Sequence, residues 1–486
     1  FSHHFAPRLG VAWQFMPRTV LRAGYGINWL TTTGGEFMNG APWNIGYGDF
    51  ARFLQGGTPD NGLTFPLSFD RPMPNGVGYV AFTRDVTALN NSLVGNWFIA
   101  NAWNQYPGCE HTIQFGVQRE VGSGQNAWVF ELNYNANLGR DLPFWLGTGE
   151  HILPDAFHKL GPYGAALNTP VPNPIFGQIA ATLGVGGRNL PFGRMFSRQP
   201  FWLEVWTMGE PLGVSNYHAA YLQAEHRFGH GFTFLANYTV SKMLQDVGSI
   251  DYRYGQGPDQ QAFPQAGLGL GDIYGTASTD ITHRFLLNYS WDLPFGSGRK
   301  FLGSPRNLGE KFANYVIGGW RLAGTSTFRS GRPILISTPS GGVGGLGSQW
   351  YNIGHGRTTR PRIVDPRQSF GFTTDGHAAL EGAANFKSYI NPAAFRLVQG
   401  FEIGDVPSTF PNWRGPGYSQ WDLSILKNFP LAGERRALQL RFEAQNLLNH
   451  MNAGQPNGAV TQRTFGMITG QLGPPRRVMV AAKFLF

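Results

Sequence analysis

The sequence predicts an all-β protein, a transmembrane antiparallel β-barrel with long extracellular loops. Apolar and polar residues alternate along segments of about ten residues, the length of a tilted strand that crosses a bilayer. Short and long connections alternate between these segments. Charged residues make up only 14% of the chain, and aromatic residues also reach 14%. In a barrel only every second residue meets lipid, which explains a low charge without a continuous apolar run.

Eleven segments show the alternation of a strand. In the tenth, for example, Leu440 and Phe442 alternate with Gln439 and Arg441, so one face is apolar and the other is polar. The predicted strands lie at 8–15, 21–29, 113–118, 128–135, 222–228, 232–241, 284–293, 317–330, 421–425, 438–445 and 477–486. No run of about 18 apolar residues is present, so the sequence predicts no transmembrane helix.

The last segment carries the clearest membrane signal. One face of it is apolar and consists of Val478, Val480, Ala482, Phe484 and Phe486. A strand that closes an outer-membrane barrel faces lipid with such a row. We therefore predict that this segment is the strand that the barrel-assembly machinery recognises.

The connections predict the orientation of the barrel. Short ones lie near 16–18, 122–125, 229–231 and 431–435, with an intermediate one at 295–316. Long ones run over 30–110, 138–218, 243–282, 331–418 and 449–475. Bacterial barrels have short periplasmic turns and long extracellular loops, so we expect the short connections to lie in the periplasm.

The strand count and the start of the chain predict that part of the barrel is missing. Single-chain bacterial barrels have even strand counts, and eleven is roughly half of a 22-stranded barrel, the size of the plugged outer-membrane transporters. The chain also starts at Phe1 without Met or a signal peptide. We expect residues 1–486 to be the C-terminal portion of one barrel domain, without its plug and N-terminal strands.

Charged side chains on the polar face are candidates for the barrel lumen. An arginine on the lipid face would cost a few kcal/mol at the bilayer midplane, which favours an inward position. In the simpler interpretation, these side chains form a solvated lumen in which opposite charges pair. In the more specific interpretation, some of them contact a ligand or the plug. The candidate lumen or plug contacts are Arg22, Glu131, Glu225, Arg227, Arg284, Arg321, Arg441 and Glu443.

Aromatic residues in the long connections are candidates for ligand contacts. They are Trp43, Tyr47, Trp97, Trp103, Trp350 and Tyr351. Such rings can stack on a planar ligand, or they can pack against one another and hold the loops.

The motifs give little support for catalysis or a cofactor. The sequence at 342–347 matches GxGxxG, but more loop follows instead of a helix, so we predict a flexible loop. The histidines lack a second ligand at metal-binding spacing, and the single cysteine, Cys109, excludes an internal disulfide. We expect no cofactor, no metal and no enzymatic activity.

The net charge of +9 does not predict a nucleic-acid partner, because the cations are scattered in no run longer than a pair. Contact with the phosphates of lipopolysaccharide is the interpretation that we favour for the surplus positive charge.

Several motifs resemble the TonB-dependent outer-membrane receptors, and most closely their Oar-like branch, which carries a carboxypeptidase-regulatory-like domain. The resemblance is spread over the whole chain, at 5–10, 22–26, 280–285, 320–324, 330–333 and 442–450. It implies a plugged barrel in the outer membrane of a Gram-negative bacterium, coupled to the TonB energy complex through the missing N-terminal part. It also implies active import of a scarce ligand.

Two other functions remain open from the sequence. One is a passive or structural barrel, such as a porin or adhesin, without energy coupling. The other is a soluble β-rich protein such as a propeller, although the repeat of about 40–50 residues that propellers show is not visible.

Overall fold

The computed structural model shows one large antiparallel sheet that follows the order of the chain. It describes residues 4–30, 97–101, 107–147, 161–177, 187–196, 204–227, 231–246, 271, 273–304, 306–338, 360–367, 370–371, 388–398, 404–431 and 436–485. The strands are β1 (Arg8–Met16), β2 (Thr19–Trp29), β3 (Trp97–Asn101), β4 (Cys109–Val121), β5 (Trp128–Gly147), β6 (Pro170–Pro172), β7 (Asn189–Pro191), β8 (Glu204–Arg227), β9 (Phe232–Gln245), β10 (Gly275–Thr276), β11 (His283–Asp292), β12 (Trp320–Arg329), β13 (Arg362–Ile363), β14 (Phe395–Arg396), β15 (Tyr418–Pro430), β16 (Ala437–Gln445) and β17 (Arg477–Leu485). Within these residues an α-helix, α1 (Leu308–Ile317), lies between β11 and β12, and short 3-10 helices lie at Gly124–Asn126, Gly161–Asn168, Phe192–Phe196 and Pro392–Ala394.

Eleven strands form the main path of the sheet, in the order β1-β2-β4-β5-β8-β9-β11-β12-β15-β16-β17. Each pairs antiparallel with the next, as the alternating connections predict. The predicted all-β antiparallel fold and the count of eleven principal strands are therefore confirmed. Two short strands join beside the path: β3 runs parallel to β8, and β10 pairs with β9. Within the described residues, β1 and β17 each pair with one neighbour only, so the sheet has two edges.

The hairpin of β5 and β8 is longer than the sequence predicts. β5 has 20 residues and β8 has 24, so both extend into the segment 138–218 that was expected to be a loop. Register shifts interrupt the pairing beyond Gly139, near Leu142 and Phe144. These bulges break the alternation, which is why the alternating pattern ends before the two strands do. Since about 9–11 residues span a bilayer, this hairpin extends beyond the membrane at the long-connection end.

The buried core lies in the long connections and not under the sheet. Its residues are Ile334, Ile336, Tyr389, Ile390, Ala394, Phe395, Val406, Phe410, Ala453, Phe465 and Ile468. They belong to the β12–β15 and β16–β17 connections, which are both at the same end of the sheet. We call this group the loop core. It shows that these connections fold into a packed structure at that end.

The helix α1 was not predicted, because the connection at 295–316 was interpreted only as a turn of intermediate length. Asn307 caps its start, because the Asn307 side chain accepts a hydrogen bond from the Glu310 amide at 2.8 Å. Gly318 and Gly319 follow its last residue, and Gly319 has a φ of 70° that favours glycine. Among the described helices, none is long and apolar enough to span a membrane.

Candidate functional site

An apolar row crosses the whole sheet on one face. Cross-strand pairs on this face include Leu132 with Leu222, Phe285 with Phe328, and Phe442 with Val480. These side chains are not covered: Leu132 is 57% exposed, Leu222 50% and Val480 64%. Soluble monomers rarely expose a contiguous apolar surface of this extent. The face is therefore suited to lipid, and the apolar rows are not the inside of a compact globule.

The final strand shares this apolar face. Val478, Val480, Ala482 and Phe484 lie opposite Ala444, Phe442, Leu440 and Leu438, respectively. The predicted one-sided row on the last strand is present in this register. Phe486 lies outside the described residues.

Tyrosine–histidine pairs mark the long-connection end of the apolar face. Tyrosine hydroxyls lie 2.8, 2.7 and 2.9 Å from histidine Nδ1 atoms in the pairs Tyr25–His111, Tyr134–His218 and Tyr238–His283. Each pair joins two strands that a long connection links, and the histidine lies nearer to that connection. Rings with one apolar and one polar end favour the bilayer interface. The sequence analysis missed these pairs, although a Tyr near the end of one strand and a His near the start of the next recur in the sequence.

Charged residues occupy the opposite face, as the alternation predicts. Arg22 donates to Gln118 Oε1 at 2.6 Å, and Gln118 lies directly opposite Glu131. Asn133 donates to Glu131 Oε1 at 2.7 Å. A polar ladder thus connects β2, β4 and β5 at one height of the sheet.

Charged residues of later strands form ion pairs on the same face. Arg321 pairs with Asp292, which also binds Arg299 at 3.1 Å. Arg441 pairs with Glu443 at 3.3 Å. These pairs are partly exposed, so each stabilises the fold by less than about 1 kcal/mol. They give this face a fixed pattern of charge.

Two other predicted lumen residues, Glu225 and Arg284, belong to this face by their strand register. Glu225 lies opposite Val129 and Leu235, and Arg284 lies opposite Thr239. Arg227 is the last residue of β8.

A shallow polar cavity of about 400 Å³ lies on β11, β12, β15 and β16. Asn288, Thr325, Asp422 and Glu443 contribute polar groups to its lining. Thr325 Oγ1 donates to Asn288 Oδ1 at 2.9 Å. The cavity is open, and its volume is sufficient for a side chain of another segment or for part of a polar ligand.

An ionic clamp beside the loop core joins two of the long connections, those between β9 and β11 and between β12 and β15. Arg414 Nη2 lies 2.5 Å from Asp280 Oδ2, and the Asp280 side chain is 1% exposed. Arg414 Nη1 also donates to the carbonyls of Asp280 and Gly331 at 3.0 Å. Asp280 Oδ1 accepts from the Met243 amide at 2.8 Å. These contacts give Asp280 and Gly331, which carry the family resemblance, a structural role.

The loop core and the clamp share one contact. The Tyr389 hydroxyl donates to the Arg414 carbonyl at 2.7 Å, and burial raises the pKa of Tyr389. At Gly331, an added Cβ would lie 1.8 Å from the Gly415 carbonyl oxygen, so only glycine allows this approach of two backbones. The loops are therefore held in one arrangement.

The end of β16 forms a tight turn built on Asn446. This residue has a φ of 50°, and its amide donates to Asp422 Oδ1 at 2.8 Å. Its side chain accepts from the His450 amide at 2.9 Å and donates to the His450 carbonyl at 2.8 Å. The run at 442–450 thus encodes a strand and the turn that ends it.

Most of the predicted loop aromatics lie outside the described residues. This applies to Trp43, Tyr47, Trp103, Trp350 and Tyr351, and also to the GxGxxG match at 342–347. Trp97, which was expected in a loop, is the first residue of β3 and lies opposite Glu204. Within the described ranges, no three His, Cys, Asp or Glu side chains are grouped so that they could hold a metal ion.

Comparisons with known proteins agree with the membrane-facing surface. A family model described as an outer membrane beta barrel domain matches residues 2–479. No curated protein sequence matches the chain at a significant level.

Solved structures that are similar to the chain include three transporters or receptors. The outer membrane transporter YddB from Escherichia coli has 9% identity and a TM-score of 0.38, with 96% of this chain and 38% of that chain covered. BauA, the ferric preacinetobactin receptor from Acinetobacter baumannii, has 10% identity and a TM-score of 0.37, with 99% and 36% covered. The copper transporter OprC has 8% identity and a TM-score of 0.35, with 99% and 40% covered. The chain thus spans well under half the length of each of these proteins.

The family model covers nearly the whole chain and agrees with an antiparallel sheet whose apolar face is exposed. This combination identifies a membrane barrel domain. The chain belongs to the outer membrane β-barrel domain family and lies in the outer membrane of a Gram-negative bacterium.

Proposed function

We propose that the chain is the C-terminal wall and loop region of a TonB-dependent receptor that imports a scarce ligand. The observation that carries this proposal is the packed assembly of external loops at one end of a sheet with a polar inner face. Ser408 Oγ donates to the Ile273 carbonyl at 3.2 Å, so the loop before β11 is tied to the loop before β15. A fixed external surface above a polar lumen is what a receptor needs to bind a ligand before it passes inward. Assignment to the Oar-like branch stays a prediction.

The proposal includes further strands and a plug. In lipid, an unpaired backbone group costs several kcal/mol, and β1 and β17 present such groups along their outer edges within the described residues. Additional strands would pair with these edges and close the barrel. The charged inner face, with Arg22, Glu131, Glu225, Arg227, Arg284, Arg321, Arg441 and Glu443, would then face the plug.

The ligand would bind at the external end, over the loop core. We propose that Trp43, Tyr47, Trp97, Trp103, Trp350 and Tyr351 contribute ring contacts there. Their positions in or beside long connections support this assignment, since aromatic rings on external loops suit a bulky nutrient.

Two membrane partners belong to the proposal. Lipopolysaccharide would contact the external end of the apolar face, where a groove of about 500 Å³ is lined by His283, Arg329 and His450 beside Tyr238 and Phe285. These groups combine apolar walls with the Arg329 cation and two imidazole rings, which suit a phosphorylated glycolipid. The barrel-assembly machinery would recognise β17, whose apolar row is exposed.

Transport by the full-length protein tests the receptor function. Cells with and without the gene take up labelled ferric chelates, cobalamin, oligosaccharides and peptides, each with TonB intact or inactivated. We expect high-affinity uptake of one of these classes that requires both the gene and TonB. Gene-dependent permeability to several small solutes that is independent of TonB would instead identify a passive barrel, and no gene-dependent uptake would identify a structural one.

A further inference from the structure

The helix α1 has an apolar face that no other described part of the chain covers. Leu308 is 85% exposed and Phe312 70%, and Tyr315 and Val316 are 42% and 45% exposed. These positions are spaced i, i+4, i+7 and i+8, so they lie on one side of the helix. An amphipathic helix normally turns such a face toward a core, and here it points away from the protein.

The helix is nevertheless held in place at both ends. The Glu310 side chain accepts from the Arg306 amide at 2.6 Å, one residue before the N-cap, and this bond reinforces the cap formed by Asn307. Asn314 Nδ2 donates to Ser297 Oγ at 2.9 Å, which ties its polar side to the connection before it. Isolated helices of about ten residues are marginal in water, so these contacts fix both its existence and its orientation.

The last turn of α1 is bound by side chains of the sheet. Lys427 Nζ donates to the Tyr315 carbonyl at 2.8 Å and also to the Gly318 carbonyl. Trp320 Nε1 donates to the Val316 carbonyl at 2.9 Å. These donors satisfy carbonyls that the helix leaves unpaired at its C-terminus, and the lysine charge is favourable at that end of the helix dipole.

The same two side chains show on which face of the sheet the helix lies. Lys427 and Trp320 are direct cross-strand partners, and Lys427 alternates with Ile425 on the apolar, membrane-facing row. Lys427 is 1% exposed, and its Nζ lies 5.6 Å from the Trp320 ring and 4.9 Å from the Phe429 ring. The Tyr315 and Phe429 rings are 5.4 Å apart. The helix C-terminus therefore rests on the lipid side of the sheet and not in the lumen.

The helix lies at the short-connection end, next to a phospholipid leaflet. It is in the β11–β12 connection, on the same side as the turns after β1, β4, β8 and β15, which is the periplasmic side of an outer-membrane barrel. The connection contains the cations Arg299, Lys300, Arg306 and Lys311, with Glu310 as its acidic residue. Cations that flank an apolar face are typical of helices bound to membranes with anionic headgroups.

We propose that α1 is an interfacial helix that inserts its apolar face, Leu308, Phe312, Tyr315 and Val316, into the periplasmic leaflet of the outer membrane. The partner of this apolar face is a phospholipid leaflet that contains anionic lipid, at the boundary between its acyl chains and headgroups. The face continues the membrane-facing surface of the sheet through the Tyr315–Phe429 contact, and Lys427 holds it at that level. The inference rests on the orientation of the barrel and does not depend on ligand import.

Depth-resolved quenching in vesicles tests this proposal. The full-length protein with Cys109→Ser and Phe312→Cys carries a fluorescent label at position 312, in vesicles of phosphatidylethanolamine and phosphatidylglycerol that contain brominated acyl chains. The matched control carries the label at Lys311→Cys, the neighbouring residue at the flank of the face. We expect at least about threefold stronger quenching at 312 than at 311, since only the apolar face enters the hydrocarbon boundary. Equal quenching at the two sites would overturn the proposal.

A second variant separates insertion of the helix from insertion of the label. Leu308→Asp in the protein labelled at position 312 places a charge on the same face, while heat-modifiable migration on gels verifies that the barrel is folded. We expect quenching at 312 to fall to the level of the Lys311→Cys control. Quenching that stays unchanged would show that the label enters the membrane by itself, and the proposal would be wrong.

Discussion

Truncation of Ile390 should release the external loops without unfolding the barrel wall. Ile390 is 0% exposed, and its amide donates to the Gly466 carbonyl at 3.2 Å, so it joins the β12–β15 loop to the β16–β17 loop. Its side chain packs in the loop core with residues such as Phe395 and Phe410. Ile390→Ala leaves a cavity at the contact between these two loops.

The expected loss of stability follows from the burial. Replacement of a fully buried isoleucine by alanine costs about 2–5 kcal/mol. Because about 1.4 kcal/mol corresponds to a factor of ten, the open form of the loops should become roughly 30-fold more populated at the lower limit. The substitution leaves the strand pairing of the main sheet intact, because Ile390 does not belong to any strand of that sheet.

Proteolysis of intact cells measures this change. A protease added outside should cleave loops of the Ile390→Ala protein roughly 30-fold faster or more, because cleavage of a transiently opened segment tracks its population. The control is Val364→Ala, in the same loop, where the side chain is 53% exposed and little burial is lost. Equal cleavage rates for the two variants would refute the packed loop core, and cleavage only from the periplasmic side would refute the orientation.

Three further changes test the arrangement of the external loops. Gly331→Ala should reduce the yield of folded protein several-fold, since the added Cβ would meet a backbone carbonyl at 1.8 Å, whereas Gly470→Ala, which meets no atom within 4 Å, should not; equal yields would contradict the close approach. Asp280→Ala should lower the free energy of unfolding of the loops by about 3–5 kcal/mol, because it leaves the Arg414 cation without its buried partner, and a loss under about 1 kcal/mol would show that the clamp is not needed. Burial raises the pKa of Tyr389, so the folded state keeps the phenol proton to a higher pH than the unfolded state does. The contribution of Tyr389 to the free energy of unfolding is therefore fully present below about pH 10 and is lost as the pH rises further. Thermal unfolding of Tyr389→Phe should therefore show a smaller loss above about pH 10 than the parent, and an identical pH profile would exclude this residue as the cause.

The strands could be predicted because lipid imposes a strict rule on them. Every second residue of a membrane strand is apolar, so even short segments such as Leu440 to Phe442 reveal their two faces. The extensions of β5 and β8 were missed because bulges near Gly139 and Leu142 break this alternation outside the membrane. Only tertiary pairing identifies them as strands.

The loop core and the helix α1 could not be placed from the sequence for a different reason. Ile334, Ile390 and Phe465 are far apart in the chain, and alternation carries no information on which loops meet. The capping residues of α1, Asn307 and Gly318, could be recognised in the sequence. The contact of Lys427 with the last turn of the helix, however, depends on the strand register. The alternation assigns the polar-face residues to one row, whereas their partners, such as Gln118 for Arg22, follow only from the register.

The central claim is that adjacent residues of one strand face lipid and lumen, and labelling of β17 tests it most directly. Val480 lies opposite Phe442 in the apolar row, and Ala481 lies opposite Arg441 on the polar face. In outer membranes that contain the full-length protein with Cys109→Ser, a membrane-impermeant maleimide should label Ala481→Cys and leave Val480→Cys almost unlabelled. Equal labelling of the two positions, or preferential labelling at Val480→Cys, would contradict the assignment of the two faces.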